Sequence, residues 1–544
     1  MGIKRYTANS DTTITNAFKT NLTTRGTGSN MGRADSMAIF SIYGQESSGS
    51  SELSRTLLDF PISDITTDRA NNVIPASGSV SFYLRMFNAT TPFTLPRNFT
   101  LAVSAVSGAE ENDTTPISFD WQEGNGLDME GYTDVTRDGI GANWINMGSS
   151  STDGVIKWGN QGSPTAGGTY YTDSSSSFTQ TFADGDENLE IDVTTLVEQW
   201  LDSTGNVLGS KHAYGVGVHL TASEEAFVAA ADATTNVPAN AEGARRSYFT
   251  KRFFARSSEF FYRRPMIEAR WDSAKKDDRG NFYYSSSFAT SDENLNTLYL
   301  YNYFRGQLRN IPNLTDEVIY VSFYSGSAAD TAPSGSRLDL VYDGTHVADA
   351  SALFVTGGVS STPGIYTASV CLTAAATPLA TIYDVWSASI KNATIAEIGY
   401  TGSISPSKIT LQPQNYSTRF VSTVTNLKPT YSRNETARFR IFARQKDWNP
   451  NIYTKAVATV RPFIIESGSY SINRMIDNLD AIPYGTGSLL HTQMSFDVSG
   501  SYFDLAMNML EPGYSYKLSL AYYNGSIGDW EEQPEEFRFR VEEG

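Results

Sequence analysis

Short apolar runs alternate with polar turns along most of the chain. In residues 1–110 the runs MAIFSIYG, RTLLDFPI, SVSFYLRMFN and FTLAVSAVS are bounded by Gly, Asn and Pro clusters, and each predicts a strand. AYGVGVHLT and EAFVAAADA predict two more. One stretch breaks this rhythm. In LEIDVTTLVEQWL, Val193, Leu196, Val197, Trp200 and Leu201 fall at i, i+3, i+4, i+7 and i+8, a single helical face. Thr195 followed three residues later by Glu198 predicts a capping box, with Asp192 placed where negative charge favours a helix start. A lone short helix among strands plugs the open end of a sandwich.

Further along, LNTLYLYNYFRG, EVIYVSFYSG, RLDLVYDG, IYTASVCL and IYDVWSASI predict five strands without a helix. TARFRIFARQ, MLEPGYSYKLSLAYY and EEFRFRVEE continue the strand pattern to the end of the chain. Residues 145–180, rich in Ser and Gly, predict exposed loops, and 273–294 predict a linker.

With 544 residues the chain exceeds one core, since domains run at about 150 residues. The net charge of −18 disfavours whole-chain binding to nucleic acid or to an anionic membrane. One cysteine, Cys371 in TASVCLTAA, excludes an intramolecular disulfide framework and is expected to be a buried small hydrophobe. MGIKRYTANSD lacks the apolar core of a signal peptide, and no apolar run approaches the roughly 18 residues of a membrane span. The sequons at Asn88, Asn98, Asn392 and Asn434 are therefore read as loops of a cytoplasm-made protein.

Charge is unevenly spread. Residues 244–279 carry eleven basic side chains against five acidic ones, interleaved with Phe249, Phe253, Phe254, Phe260, Phe261, Tyr262 and Trp271. Such a mixture can bind single-stranded nucleic acid. In a chain this acidic it fits better as two strands with aromatics inside and cations outside, facing an acidic partner. Arg245, Arg246, Lys251, Arg252, Arg263 and Arg264 are the candidate contacts, together with Arg538 and Arg540 on the terminal FRFRVEEG run. That run is also expected to be an edge strand able to add to a partner sheet.

Catalytic and metal signatures are weak. His212, His219, His346 and His491 are scattered, and no P-loop or nucleophile elbow is present. Asp184, Asp186 and Asn188 echo the start of a calcium loop, but Leu189 and Thr195 replace its glycine and glutamate, so a turn is expected. Asp120, Trp121, Glu123, Asp128 and Glu130 form the one acidic, Trp-bearing cluster.

RTLLDF (55–60), W-x-E-G-x-G (121–126), Trp144, I-D-V-T-x-L-V-x-x-W (191–200) and then YGVGVHL follow in an order that resembles the DNRLRE-type β-sandwich module of surface and secreted proteins. SRTLLDF stands in for the name-giving motif. The resemblance implies a jelly roll over 1–272. L-x-P-G-x-x-Y (510–516) is similar to fibronectin type III modules. RRPMIEARWDS, YDVW, RFRIFARxKDWNPNIY, IPYGTGS and DVSGxYFDL resemble virion proteins of T4-like tailed phages of marine bacteria.

The expectation is therefore an all-β chain. A jelly roll with one short helix (1–272) is followed by a linker (273–294), an Ig-like domain (295–402) and an Ig/fibronectin-like region of one or two sandwiches (403–544). The expected function is that of a non-enzymatic virion structural protein needing no cofactor or metal. It would assemble with itself and with other virion proteins on a head, neck, tail or fibre. The alternatives are a host-glycan-binding module using the 145–180 loops, signalled by a solvent-facing Trp or Tyr, and a depolymerase using Glu123 or Asp128.

Overall fold

The computed structural model describes residues 2–19, 21–44, 51–91, 95–112, 115–127, 141–150, 154–202, 211–231, 236–312, 314, 318–326, 335–341, 355–359, 362–373, 379–391, 394–397, 399–408, 419–447, 452 and 462–544. Asp128, Glu130, His346 and the sequon at Asn392 lie outside these residues. The chain is all-β and divides into two units, Ile3–Trp271 and Asp272–Gly544.

In the first unit a four-stranded antiparallel sheet runs Ile3–Thr7, Met266–Arg270, Ser81–Met86, Leu189–Asp192. A seven-stranded sheet runs Ser177–Phe182, Phe99–Ala105, Val216–Leu220, Ser51–Asp59, Ser36–Tyr43, Tyr248–Phe254, with Ser10–Thr15 also paired to Ser51–Asp59. Phe82, Leu84 and Ile267 from the small sheet and Leu58, Leu101, Val103, Val218 and Phe253 from the large one form the core between them. The run RTLLDF is apolar at successive positions because its sheet is covered on both faces. Leu58 enters this core, while Leu57 enters a second one with Ile14, Trp121, Trp144 and Trp158.

The helix forms at Thr194–Leu201, with Leu196 and Val197 buried. It starts one residue before the expected capping box. Instead, the Asp192 carboxylate accepts the Thr194 N–H at 2.8 Å and its hydroxyl at 2.6 Å. Thr195 donates its hydroxyl to the Ser175 carbonyl, and Glu198 forms a bidentate pair with Arg69 at 2.6 and 2.7 Å. Arg69 belongs to a second helix, Ile62–Ala70, whose one buried residue, Ile65, leaves little periodic signal in sequence. Within EAFVAAADA, Ala226 and Val228 form isolated bridges, and the described residues 225–231 form no strand.

In the second unit Asn296–Tyr301, Ile365–Leu372, Val355–Val359, Ile319–Tyr324, Tyr383–Ser387 and Tyr400–Thr401 form one sheet, with Leu340–Val341 paired to Ile365–Leu372. Cys371 is buried there. The C-terminal strands make two sheets. One holds Phe420–Val424, Thr436–Gln445, Gly500–Ala506 and Ser495–Asp497. The other holds Thr430–Ser432, Phe537–Glu542, Ser515–Asn524, Gly468–Arg474 and Asp480–Ile482. Aromatics join the two: Tyr470 stacks on Phe503 at 3.8 Å, and Phe439 meets Phe539 at 5.6 Å. These strands make one sandwich.

The stretch expected as a linker is woven into this unit. Lys276 bridges Phe496, Tyr283–Tyr284 pairs with Ser407–Lys408, and Arg279 forms a bidentate pair with the fully buried Asp384. No helix among the described residues is long and apolar enough to cross a membrane.

Candidate contact surfaces

Strand Tyr248–Phe254 pairs with Ser36–Tyr43, placing Phe253 opposite Met37 and turned into the core. Two-residue periodicity then puts Lys251 on the inward side as well. Lys251 was expected to face a partner; its side chain is instead buried. The ammonium donates to Asn88 Oδ1 at 2.8 Å, the Gly185 carbonyl at 2.9 Å and the Glu187 carbonyl at 2.6 Å. It also lies over Phe182 and Phe253. Burial lowers its pKa to about 8.

The calcium-like turn is thus organised around an internal cation supplied by the chain. The Glu187 carboxylate holds the same turn by accepting N–H groups of Ala183, Asp184 and Gly185. Replacing Lys251 with methionine leaves three oxygens without their donor and is expected to cost about 2–3 kcal/mol, read as a lower melting temperature of the first unit. An unchanged melting temperature would mean that water satisfies the turn.

Arg252, of opposite parity, faces outward opposite Ala38 and is half-buried. Arg245 and Arg246 are exposed, and Arg245 lies 4.1 Å from the Phe227 ring centre. Beyond the strand, residues 254–264 build an aromatic–arginine ridge. Phe254 and Phe260 meet edge to face at 5.4 Å, and a 3-10 turn at Phe261–Arg263 follows. Arg263 covers Phe254 and Phe260 at 5.4 and 5.8 Å, and Arg264 covers Phe261 at 5.3 Å. Arg264 is fixed by two hydrogen bonds to the Ser258 carbonyl, at 3.0 and 2.8 Å. Phe260 and Phe261 remain 43% and 52% exposed.

Arg538 and Arg540 are exposed, near Glu536 (3.7 Å) and Glu542 (3.8 Å) respectively. Their strand is not the expected free edge. Ser515–Asn524 pairs along one side, and Thr430–Ser432 covers Arg540–Glu542 on the other.

Among the described members of the acidic cluster, Glu123 is held in contacts that support the fold. Both Glu123 oxygens accept from Arg256 at 2.7 Å, and the Asp11 N–H donates to Glu123 at 3.0 Å. Gly124 (φ +78°) and Gly126 pack against Asn30, whose Oδ1 accepts the Gly126 N–H; a Cβ on Gly126 would lie 1.6 Å from the Asn30 carbonyl. The W-x-E-G-x-G glycines are thus steric requirements.

Burial pushes the Asp11 carboxyl up to about 7, against the opposing hydrogen bond from the Arg256 N–H. A carboxyl raised in the fold binds its proton more tightly there than when unfolded. Its stabilising contribution is complete below pH 4 and is lost as pH rises through 7. Asp11→Asn is therefore expected to gain on the wild type between pH 5 and pH 8, by on the order of 2 kcal/mol, in paired thermal melts. Parallel pH curves would refute the assignment.

Other polar groups are also internal. Arg55, in the RTLLDF run, forms a bidentate pair with Glu225 at 2.9 and 2.7 Å, donates to the Gly167 carbonyl and lies over Trp144 and Tyr170. Burial lowers the pKa of His219, which sits against Tyr170. Among the described residues no group of three His, Cys, Asp or Glu is placed to hold a metal. Residues 145–180, expected to be exposed loops, instead contain the strands Asn146–Ser150, Gly154–Lys157 and Ser177–Phe182, and they contribute Met147, Ile156 and Trp158 to the Trp-rich core. Tyr170 and Tyr171 are half-buried, so no Trp or Tyr described there faces solvent.

No protein-family model matches the chain, and no curated protein matches it. Among solved structures, fibronectin(III)-like modules of CbhA from Clostridium thermocellum match at 9% identity and TM-score 0.14, over 50% of this chain and 92% of theirs. A marsupial T cell receptor matches at 9% and 0.14, over 48% and 70%. Trypsin-activated alpha-2-macroglobulin from Escherichia coli matches at 7% and 0.14, over 90% and 24%. Scores this low carry no argument about function.

Proposed function

We propose that this chain is a structural component of a tailed-phage virion, present in multiple copies and docked through the aromatic–arginine ridge at 254–264. The observation that carries the reading is the pair Phe260 and Phe261, half in solvent and overlaid by Arg263 and Arg264. Aromatic residues and arginine are the side chains that dominate protein interfaces. Elsewhere the motif residues Arg55, Glu123 and Lys251 are engaged in holding the fold. The phage assignment itself rests on the sequence resemblance.

Light scattering of the purified chain tests the docking role. The wild type is expected to form multimers of defined mass. A variant carrying Phe260→Ser and Phe261→Ser, which leaves the Arg264–Ser258 hydrogen bonds in place, is expected to lose multimer mass while remaining folded by circular dichroism. Multimers of equal mass in both would remove the ridge from assembly.

A further inference from the structure

A second exposed aromatic–arginine element lies on a small hairpin of the second unit. Tyr303–Phe304 pairs with Gln307–Leu308, and the turn between them holds Arg305 at φ +51° and Gly306 at φ +78°. Two successive left-handed residues fit a tight primed turn, in which glycine is at ease and arginine is strained. A Cβ on Gly306 would meet nothing within 4 Å, so this side of the turn opens to solvent. Tyr303 and Phe304 are 60% and 54% exposed, and the exposed Arg305 and Arg309 lie 5.3 and 6.0 Å from the Phe304 ring centre. Residues 301–311 contain no acidic side chain.

The same unit carries the complementary chemistry. Asp529–Glu532 pairs with Ser515–Asn524, setting Tyr523 edge to face with Trp530 at 5.8 Å. Tyr523 and Ile527 are 47% and 63% exposed. Asp529, Glu531 and Glu532 are exposed beside them, and residues 524–536 contain no basic side chain.

We infer that the hairpin at 303–309 of one copy seats on the acidic ribbon at 523–532 of a second copy of this chain. Charge complementarity selects the occupant: a cationic aromatic tip and an anionic aromatic ribbon, both exposed on each molecule, fit one another between molecules. The contact joins two different patches, so it is heterologous and propagates into a ring or filament. This inference rests on the multi-copy reading above and names a contact separate from the ridge.

Sedimentation of the full chain over a concentration series tests it. Arg305→Glu with Arg309→Glu is expected to weaken self-association by about tenfold or more, as is Glu531→Arg with Glu532→Arg. All four substitutions together are expected to restore it, because the charges are exchanged rather than lost. Melting temperatures of the three variants should match the wild type, since every changed residue is exposed. Unchanged association in both reversal variants would overturn the contact while leaving assembly through the ridge intact. A chain monomeric at every concentration would overturn both. Loss of glycan binding, rather than of self-association, in the Arg305/Arg309 variant would reassign the tip to a sugar.

Discussion

Replacing Glu268 with alanine is expected to lower the melting temperature of the first unit by roughly 10 °C. Glu268 is fully buried on the central strand Met266–Arg270 and accepts from Arg5 at 2.7 Å, Arg85 at 3.2 Å and Arg270 at 2.8 Å. Side-chain exposure of those arginines is 16%, 4% and 2%. Removing the one carboxylate that all three share leaves guanidinium charges together in a dry setting, with Glu190 remaining for Arg85 and Arg270. Breaking a buried ion cluster in this way costs about 3–5 kcal/mol. Burial opposes the Glu268 charge, but Arg85, Arg5 and Arg270 outweigh it and hold the carboxyl well below the usual range. A depressed carboxyl stabilises the fold above the unfolded pKa and loses that contribution only as pH falls through the lower, folded value. The Glu268 contribution therefore persists into strong acid, and the gap between wild type and variant should stay open through pH 4. A melting temperature within about 2 °C of wild type would mean that solvent reaches the cluster.

Arg279→Ala is expected to destabilise the second unit by a similar amount, about 3–5 kcal/mol. Arg279 donates two hydrogen bonds to Asp384, at 2.6 and 2.8 Å, and Asp384 is fully buried, with the Trp386 indole N–H at 2.7 Å as a further donor. Without the guanidinium a fully buried carboxylate loses its charge partner, and the YDVW strand loosens. Arg279→Lys should recover only part of the loss, because an ammonium cannot reproduce the planar two-bond geometry. Chemical denaturation of the full chain, followed by intrinsic tryptophan fluorescence, reads this out. Equal midpoints for wild type and alanine variant would show that residues 273–294 behave as the linker their composition suggests.

These two sites mark where reading the sequence stops being sufficient. Strands, turns and the helix at Thr194–Leu201 were legible because each rests on local periodicity: two residues for a strand with one wet face, between three and four for a helix. The same periodicity carried an unused signal, since Lys251 shares parity with Phe253 and must point the same way. The all-β class followed from such patterns; the Trp-rich second core did not, because it gathers Ile14, Leu57, Trp121, Trp144 and Trp158 from distant parts of the chain.

What sequence could not supply was pairing across distance. Glu268 meets Arg5 across 263 positions and Arg55 meets Glu225 across 170, and nothing in the local pattern distinguishes these charges from solvated ones. The terminal FRFRVEEG run carries the alternation of a strand, but that it is flanked on both sides depends on Thr430–Ser432 arriving from more than a hundred residues away. The sequence by itself determined which residues extend and which face of each strand is apolar, because those are short-range consequences of side-chain spacing. Only the tertiary structure decided which charges are buried as clamps and which, as at 303–309, remain on the surface, because burial is a property of the neighbours the fold brings in.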